Sequence, residues 1–246
     1  MKQILLIASA IIFFGASCSK SDNKPGGSYS NDRSAGASAN DLLSSARYKS
    51  LKIEIQYMPG FQPDAAAINH LTAFLSNRLN KPGGIQVTQK QIAAAGSVLS
   101  AQEVLNIEKQ NRTVYTSGDQ LGVYFLFTNG NYTQNNVLGI AYRNTSMCLF
   151  GKTIHDNSGG VGQTSRTKLE ATVLEHEFGH ILGLVNIGSA MQTAHQDTPH
   201  GAHCNNENCL MYYASETTDA LGFLLTGNIP SLDANCINDL KANGGK

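Results

Sequence analysis

The sequence lacks an excess of charge of either sign. Lysine and arginine together number 18, and so do aspartate and glutamate, in a chain of 246 residues. A neutral chain lacks the basic surface that binds nucleic acid, so no nucleic-acid partner is expected. Internal repeats are also lacking, and charged residues make up 15% of the chain against 41% hydrophobic residues. This composition favours one globular domain, or two small subdomains around a cleft, over a disordered chain.

An apolar run long enough to cross a bilayer is lacking at the N-terminus. The run Ile4–Phe14 is too short for a transmembrane helix but has the length of a signal-peptide core. It ends in Gly15-Ala16-Ser17-Cys18, which resembles the lipobox of bacterial lipoproteins. The resemblance implies a signal peptide at 1–17 and a lipid on Cys18 that anchors an exported protein to a membrane. Residues 18–45, rich in Ser, Asn, Gly and Asp, are then expected to form a flexible linker.

Cysteine is scarce, with five residues in the chain. Setting Cys18 aside leaves an even number, which in an exported protein suggests disulfides. The preferred pairs are Cys204–Cys209, which would close a short loop, and Cys148–Cys236, which would fasten the C-terminal segment to the sheet. Free thiols are the alternative.

Alternating and helical apolar patterns predict an α+β domain over residues 46–246. The predicted strands are 51–57, 85–87, 121–127, 137–142 and 147–150. The predicted helices begin near Pro63, at Ser100 with a capping box to Glu103, and near Ser231. Together they suggest a mixed sheet with helices packed on it and a smaller C-terminal part.

A further helix, predicted to start at a Thr167–Glu170 capping box, contains His176-Glu177-Phe178-Gly179-His180. Residues four apart lie on one helical face, so two imidazoles can hold one zinc ion. Glu177 can reach a water on that zinc and act as the general base. Gly183 is well placed to end the helix.

The pattern from His176 to Gly183 resembles the metzincin metallopeptidases, in which a third histidine follows the glycine by three residues. Asn186 holds that position here. The stretch His203-Cys204 to Cys209-Leu210-Met211 is similar to that of archaemetzincins, where it carries the third zinc ligand and the methionine turn. The resemblance implies that 17 residues, 186–202, precede the third ligand, His203, with Met211 beneath the metal.

Several side chains compete with His203 for the third position on the zinc. They are His195, His200, Asp197 and Asn186, with His195 the next choice. In archaemetzincins a later cysteine pair also helps to hold a second zinc, whereas only Cys236 follows here, so disulfides are expected instead. Tyr213 stands two residues after Met211, the offset of the zinc-facing tyrosine of astacins and serralysins. This likeness implies stabilisation of an oxyanion.

These features predict a zinc metalloendopeptidase with a metzincin-like fold. His176, His180 and His203 would hold zinc, and Glu177 would activate a zinc-bound water. An extended protein or peptide substrate would pair with strand 137–142 or 147–150 at the edge of the sheet. The chain is expected to be monomeric. The alternatives are a zinc amidase acting on cell-wall peptide, a catalytically silent surface-binding lipoprotein, and a substrate-binding lipoprotein with a structural zinc.

Overall fold

The computed structural model describes residues 29–218 and 228–246, which contain both helices and strands. The strands are β1 (Ser50–Tyr57), β2 (Ile85–Gln91), β3 (Val98–Leu99), β4 (Gln120–Thr128), β5 (Asn131–Tyr132), β6 (Gly139–Arg143) and β7 (Ser146–Phe150). The α-helices are α1 (Ala39–Leu43), α2 (Ala65–Arg78), α3 (Ala101–Asn111), α4 (Gly151–Asp156), α5 (Arg166–Ile181) and α6 (Ala234–Ala242). The predicted signal peptide and Cys18 lie outside the described residues.

The main sheet has five strands in the order β2-β1-β4-β7-β6. The first four are parallel, and β6 runs antiparallel to β7 at one edge. Strand β4 is buried almost throughout because it lies in the middle of a sheet covered on both faces. The prediction of a mixed sheet is confirmed, and of the two proposed edge strands it is β6 that lies at the edge.

Alternate residues of β4 enter two separate cores. Phe125 packs edge-to-face on Phe178 of α5, with ring centroids 5.9 Å apart, in the core that also contains α2. Tyr124 and Leu126 point to the opposite face, where Val104 of α3 covers the sheet. This period-two alternation fixes which strand residues lie below α5 and which do not.

The predicted capping box of α3 is present, but the predicted start of α5 is wrong. Ser165, not Thr167, caps α5 by accepting a hydrogen bond from the Lys168 amide. Glu170 is buried and accepts a hydrogen bond from the Asp64 amide at the start of α2. Glu170 therefore joins α5 to α2 rather than capping its own helix.

The predicted linker extends too far along the chain, because α1 belongs to the packed domain. Leu42 and Leu43 are fully buried. Lys81 donates hydrogen bonds to the carbonyl oxygens of Asp41, Ser44 and Tyr48. These two adjacent leucines, in an otherwise polar stretch, are the sequence feature that indicates a buried helix here. Within the described residues, no helix has the length and apolar character that crossing a membrane requires.

Candidate metal centre

Helix α5 brings the first two predicted ligands together. His176 and His180 lie one turn apart and both are buried, with their Nε2 atoms 3.1 Å from each other. His176 Nδ1 lies 2.7 Å from the Leu210 carbonyl oxygen. A carbonyl only accepts, so Nδ1 carries the proton and the Nε2 lone pair points into the cluster. This tautomer is the one that binds a metal through Nε2.

The chain leaves α5 through a sharp turn at Gly183, whose φ is 79°. A Cβ there would lie 2.4 Å from the Ser189 amide nitrogen, so both the conformation and the close approach require glycine. Asn186 is exposed and adopts a φ of 68°. The predicted role of Gly183 in ending the helix is confirmed.

His203 joins the two histidines of α5 after the long insertion. Its ring stacks on that of His176, with centroids 5.3 Å apart and an interplanar angle of 20°. His203 Nδ1 lies 2.6 Å from the His200 carbonyl oxygen, so its Nε2 also presents a lone pair. The three predicted ligand residues are thus neighbours in space.

The other residues considered for the third position have different partners. His200 is exposed, lies 2.7 Å from Asp197 through Nδ1, and stacks on Tyr213 at 3.8 Å between ring centroids. His195 is buried in a separate cluster, where its Nε2 lies 2.8 Å from Asp239. The insertion therefore delivers His203 to α5 and holds His195 elsewhere.

Glu216 completes the histidine cluster and was not predicted. It ends a short 3₁₀ helix, Tyr213–Glu216. Its Oε2 lies 3.5 Å from His176 Nε2 and 3.7 Å from His180 Nε2, and its Oε1 lies 3.4 Å from His203 Nε2. One ligand atom from each of the four residues lies within 4.8 Å of the others. No sequence spacing links Glu216 to α5, so only the fold brings it here.

The charges in the cluster depend on one another. Burial and the charge of Glu216 raise the pKa of Glu177 well above its usual range. Burial lowers the pKa of His180 to about 4, which keeps its imidazole neutral. Burial opposes ionisation of Glu216, but its contacts with the three imidazoles hold its pKa well below the usual range. Burial lowers the pKa of His203, but its contact with Glu216 outweighs this and raises the pKa above the usual value.

Glu177 lies between the cluster and the edge of the sheet. Its side chain is fully buried, and neither carboxylate oxygen has a hydrogen-bond partner among the described residues. A Cβ added to Gly139, the first residue of β6, would lie 3.0 Å from Glu177 Oε1. A buried carboxylate without partners is costly, which is typical of a group kept for chemistry.

Met211 lies against the backbone of α5 at the turn that carries the histidines. A Cβ on Gly179 would be 2.3 Å from Met211 Sδ, so glycine is needed for this contact. Met211 also connects to its own loop: its carbonyl accepts a hydrogen bond from the Cys204 amide at 2.7 Å. Tyr213 is half-buried, with its ring on His200.

A second cluster of metal-binding side chains lies beside the first. His195, Cys204, Asp233 and Cys236 place their ligand atoms within 4.8 Å of one another. Cys209 adds a third thiol, 3.6 Å from Cys236 Sγ. Hydrogen bonds from the Cys204 and Cys236 thiols lower the pKa of the Cys209 thiol. The cluster thus combines thiols with one imidazole, a donor set that suits zinc.

The two predicted disulfides are wrong. Cys204 and Cys209 are free thiols in the cluster, and the 3.6 Å between Cys209 and Cys236 is far from the S–S bond length of about 2.05 Å. Cys148 points to the α3 face of the sheet, whereas Cys236 lies in the core on the α5 side. The sheet therefore separates Cys148 from Cys236.

The fold and the buried histidine cluster define a mixed α/β protein with a candidate metal centre between α5 and the segment that follows it. No protein-family model matches the chain, and no curated protein sequence matches it. Among solved structures, the chain is similar to the crystal structure of archaemetzincin from Methanopyrus kandleri. The two are 16% identical with a TM-score of 0.54, over 82% of this chain and 98% of that one. This likeness shows a shared fold.

Proposed function

We propose that the protein is a zinc-dependent metallopeptidase with zinc bound by His176, His180 and His203. The observation that carries the proposal is the convergence of three Nε2 atoms on one point beside the unpartnered carboxylate of Glu177. The backbone carbonyls at Nδ1 of His176 and His203 fix both rings in the ligating tautomer. The fold shared with archaemetzincin supports the same conclusion.

The reaction requires a base, an acid and an electrophile. Zinc bound there would polarise a peptide carbonyl and make a water more acidic. Glu177 takes the proton of the attacking water and delivers it to the departing nitrogen. Its buried position beside the histidines places the carboxyl within reach of a water at that point. The proposed role of Tyr213 is to donate a hydrogen bond to the developing oxyanion.

We propose that an extended peptide binds along β6. This strand is the edge of the main sheet, and its first residue, Gly139, touches Glu177. Main-chain hydrogen bonds to an edge strand hold a peptide with little regard to its side chains. The scissile bond would then lie beside the base.

We propose that the second cluster holds a structural metal. Three thiols and one imidazole fill a tetrahedral zinc site without leaving a position for water. His195 is oriented by Asp239, as metal-bound histidines usually are. Such a metal would fix the loop from His203 to Met211 on the end of α6. The methionine turn and the C-terminal subdomain are part of this proposal.

Export and a lipid at Cys18 remain proposals that rest on the N-terminal sequence, and so do a monomeric state and a peptide partner. An amidase for cell-wall peptide would use the same site. A silent binding protein would keep the fold without turnover. Hydrolysis of an unrelated protein such as casein distinguishes the peptidase from both.

The test is casein hydrolysis by the purified protein and by Glu177→Gln, with metal content measured in both. Glu177→Gln keeps the shape of the side chain but cannot accept the proton. We expect turnover to fall by about 10²- to 10⁴-fold while the zinc content stays the same. Turnover by the variant at the wild-type rate would refute the role of Glu177. A wild-type protein that holds no metal beyond that of the cysteine cluster would refute the metal centre.

A further inference from the structure

The carboxylate of Glu216 lies where a catalytic zinc site usually keeps a water. Its oxygens are 3.4–3.7 Å from the three histidine Nε2 atoms, and the two Nε2 atoms of α5 are 3.1 Å apart. Ligand atoms at the corners of a tetrahedron with bonds of about 2.0–2.1 Å are about 3.4 Å apart. These four separations are close to that edge length, with Oε2 of Glu216 near the two histidines of α5 and Oε1 near His203.

We propose that Glu216 is a fourth protein ligand of the histidine centre and keeps that centre closed until a substrate or a chelating group displaces its carboxylate. The inference rests on the proposed function, because it requires a metal at His176, His180 and His203. The proposal adds a resting state in which Glu216 occupies the fourth position on the metal, and the three histidines and Glu177 alone do not imply that state.

The surrounding charges support a carboxylate bound to a cation. The salt bridges of Glu216 within the described residues are all to neighbouring histidines, and none is to lysine or arginine. The Glu177 carboxyl is buried beside it without an ionic partner in the same part of the chain. A carboxylate that faces three imidazoles at ligand spacing, with no lysine or arginine to pair with it, is a donor set that a divalent cation would complete.

The backbone of Glu216 is held in place, whereas its side chain has room to move. The Leu138 amide donates a hydrogen bond to the Glu216 carbonyl at 2.8 Å, and Val137 pairs with Thr217 in an isolated bridge. The Glu216 side chain nevertheless keeps 27% of its surface exposed. Rotation about side-chain bonds would open the fourth position without breaking these contacts. The Glu216 side chain lies next to β6, along which we propose that a peptide binds.

The test compares the wild type with Glu216→Gln and Glu216→Ala, using Glu207→Gln as the control. Glu207 is an exposed glutamate in the loop between His203 and Met211. Two constants are measured for each protein: the zinc affinity of the histidine centre, by competition with a chromophoric chelator, and the affinity of the zinc-loaded protein for acetohydroxamate. Cobalt(II) absorption reports the ligand set, and circular dichroism verifies the fold.

If Glu216 is a ligand that closes the centre, its loss should shift the zinc affinity and the acetohydroxamate affinity in opposite directions. Both Glu216 variants should bind zinc about tenfold more weakly or worse, bind acetohydroxamate at least about tenfold more tightly, and change the cobalt spectrum. Glu207→Gln should match the wild type in each respect. Unchanged constants would show that Glu216 does not bind the metal, and weaker binding of both zinc and acetohydroxamate would show that it only positions the histidines. A wild type that binds no zinc at the histidine centre would instead refute the proposed function itself.

Discussion

Two clusters of metal-binding side chains share the segment from His203 to Met211, and they differ in how many of their polar atoms have partners. In the cysteine cluster, His195 contacts Asp239 through Nε2 and Cys204 through Nδ1, and the thiols contact one another. In the histidine cluster, both oxygens of Glu177 are buried and have no hydrogen-bond partner among the described residues. Satisfied ligands are typical of a structural site, and unsatisfied reactive groups of a catalytic one.

The two clusters are joined by short covalent and hydrogen-bonded links. His203 and Cys204 are consecutive residues in different clusters. The Met211 amide donates to Cys209 Sγ at 3.4 Å, while its own sulfur lies against Gly179. A metal in the cysteine cluster would therefore position two residues of the histidine cluster: the ligand His203, and Met211, which packs beneath the histidines. We therefore expect that a mutation in the cysteine cluster weakens zinc binding at the histidines more than a mutation in the histidine cluster weakens metal binding at the cysteines.

The largest expected effect follows the loss of the Cys209 thiol, which contacts Cys236 in the cysteine cluster. Cys209→Ser should remove one metal ion per chain and lower the free energy of unfolding by more than about 4 kcal/mol, because metal binding is coupled to folding. It should also weaken zinc binding at the histidines through Met211. Metal analysis and urea unfolding measure these changes.

Cys148→Ser is the matched control, since Cys148 is equally buried but lies on the other face of the sheet. It should cost about 1–3 kcal/mol for the buried hydroxyl and leave the metal content unchanged. If Cys209→Ser kept the metal content of the wild type, the cysteine cluster would not be a metal site.

The sequence predicted the histidine cluster better than the cysteine cluster. The spacing of His176 and His180 identifies one helical face, because an α-helix repeats every 3.6 residues. His203 came from a motif likeness, since nothing in local spacing distinguishes it from His195 or His200. The structure places the His203 ring on that of His176.

Glu216 and the role of His195 were missed because both depend on contacts between distant segments. The Glu216 backbone accepts a hydrogen bond from the amide of Leu138, the residue before β6, which is far from Glu216 in the sequence. His195 meets Asp239, 44 positions further along the chain. The disulfide predictions failed for the same reason, since cysteine counting cannot tell on which face of the sheet Cys148 lies.

The next largest effect tests the third histidine ligand directly. His203→Ala should weaken zinc binding at the histidine centre by more than about 100-fold and abolish casein turnover, because a direct ligand is lost. His200→Ala, an exposed neighbour on the same loop, should change the zinc affinity by less than about twofold. His195→Ala should instead release the other metal. Retention of zinc and turnover by His203→Ala would show that another residue is the third ligand.

The smallest effect concerns the contact between Gly179 of α5 and Met211, which connects the two clusters. Gly179→Ala should gain about 1 kcal/mol of helix propensity but lose about 1–3 kcal/mol by forcing a methyl group against the Met211 sulfur, a clash shown by the 2.3 Å separation. The net change in unfolding free energy is therefore small, while zinc affinity and turnover fall because Met211 moves. Adding Met211→Ala removes the clash, so a double-mutant cycle should show favourable coupling of at least about 0.5 kcal/mol. Additive effects would mean that Met211 does not press on the helix that carries the histidines, and the proposed link between the clusters would then run through His203 and Cys204 alone.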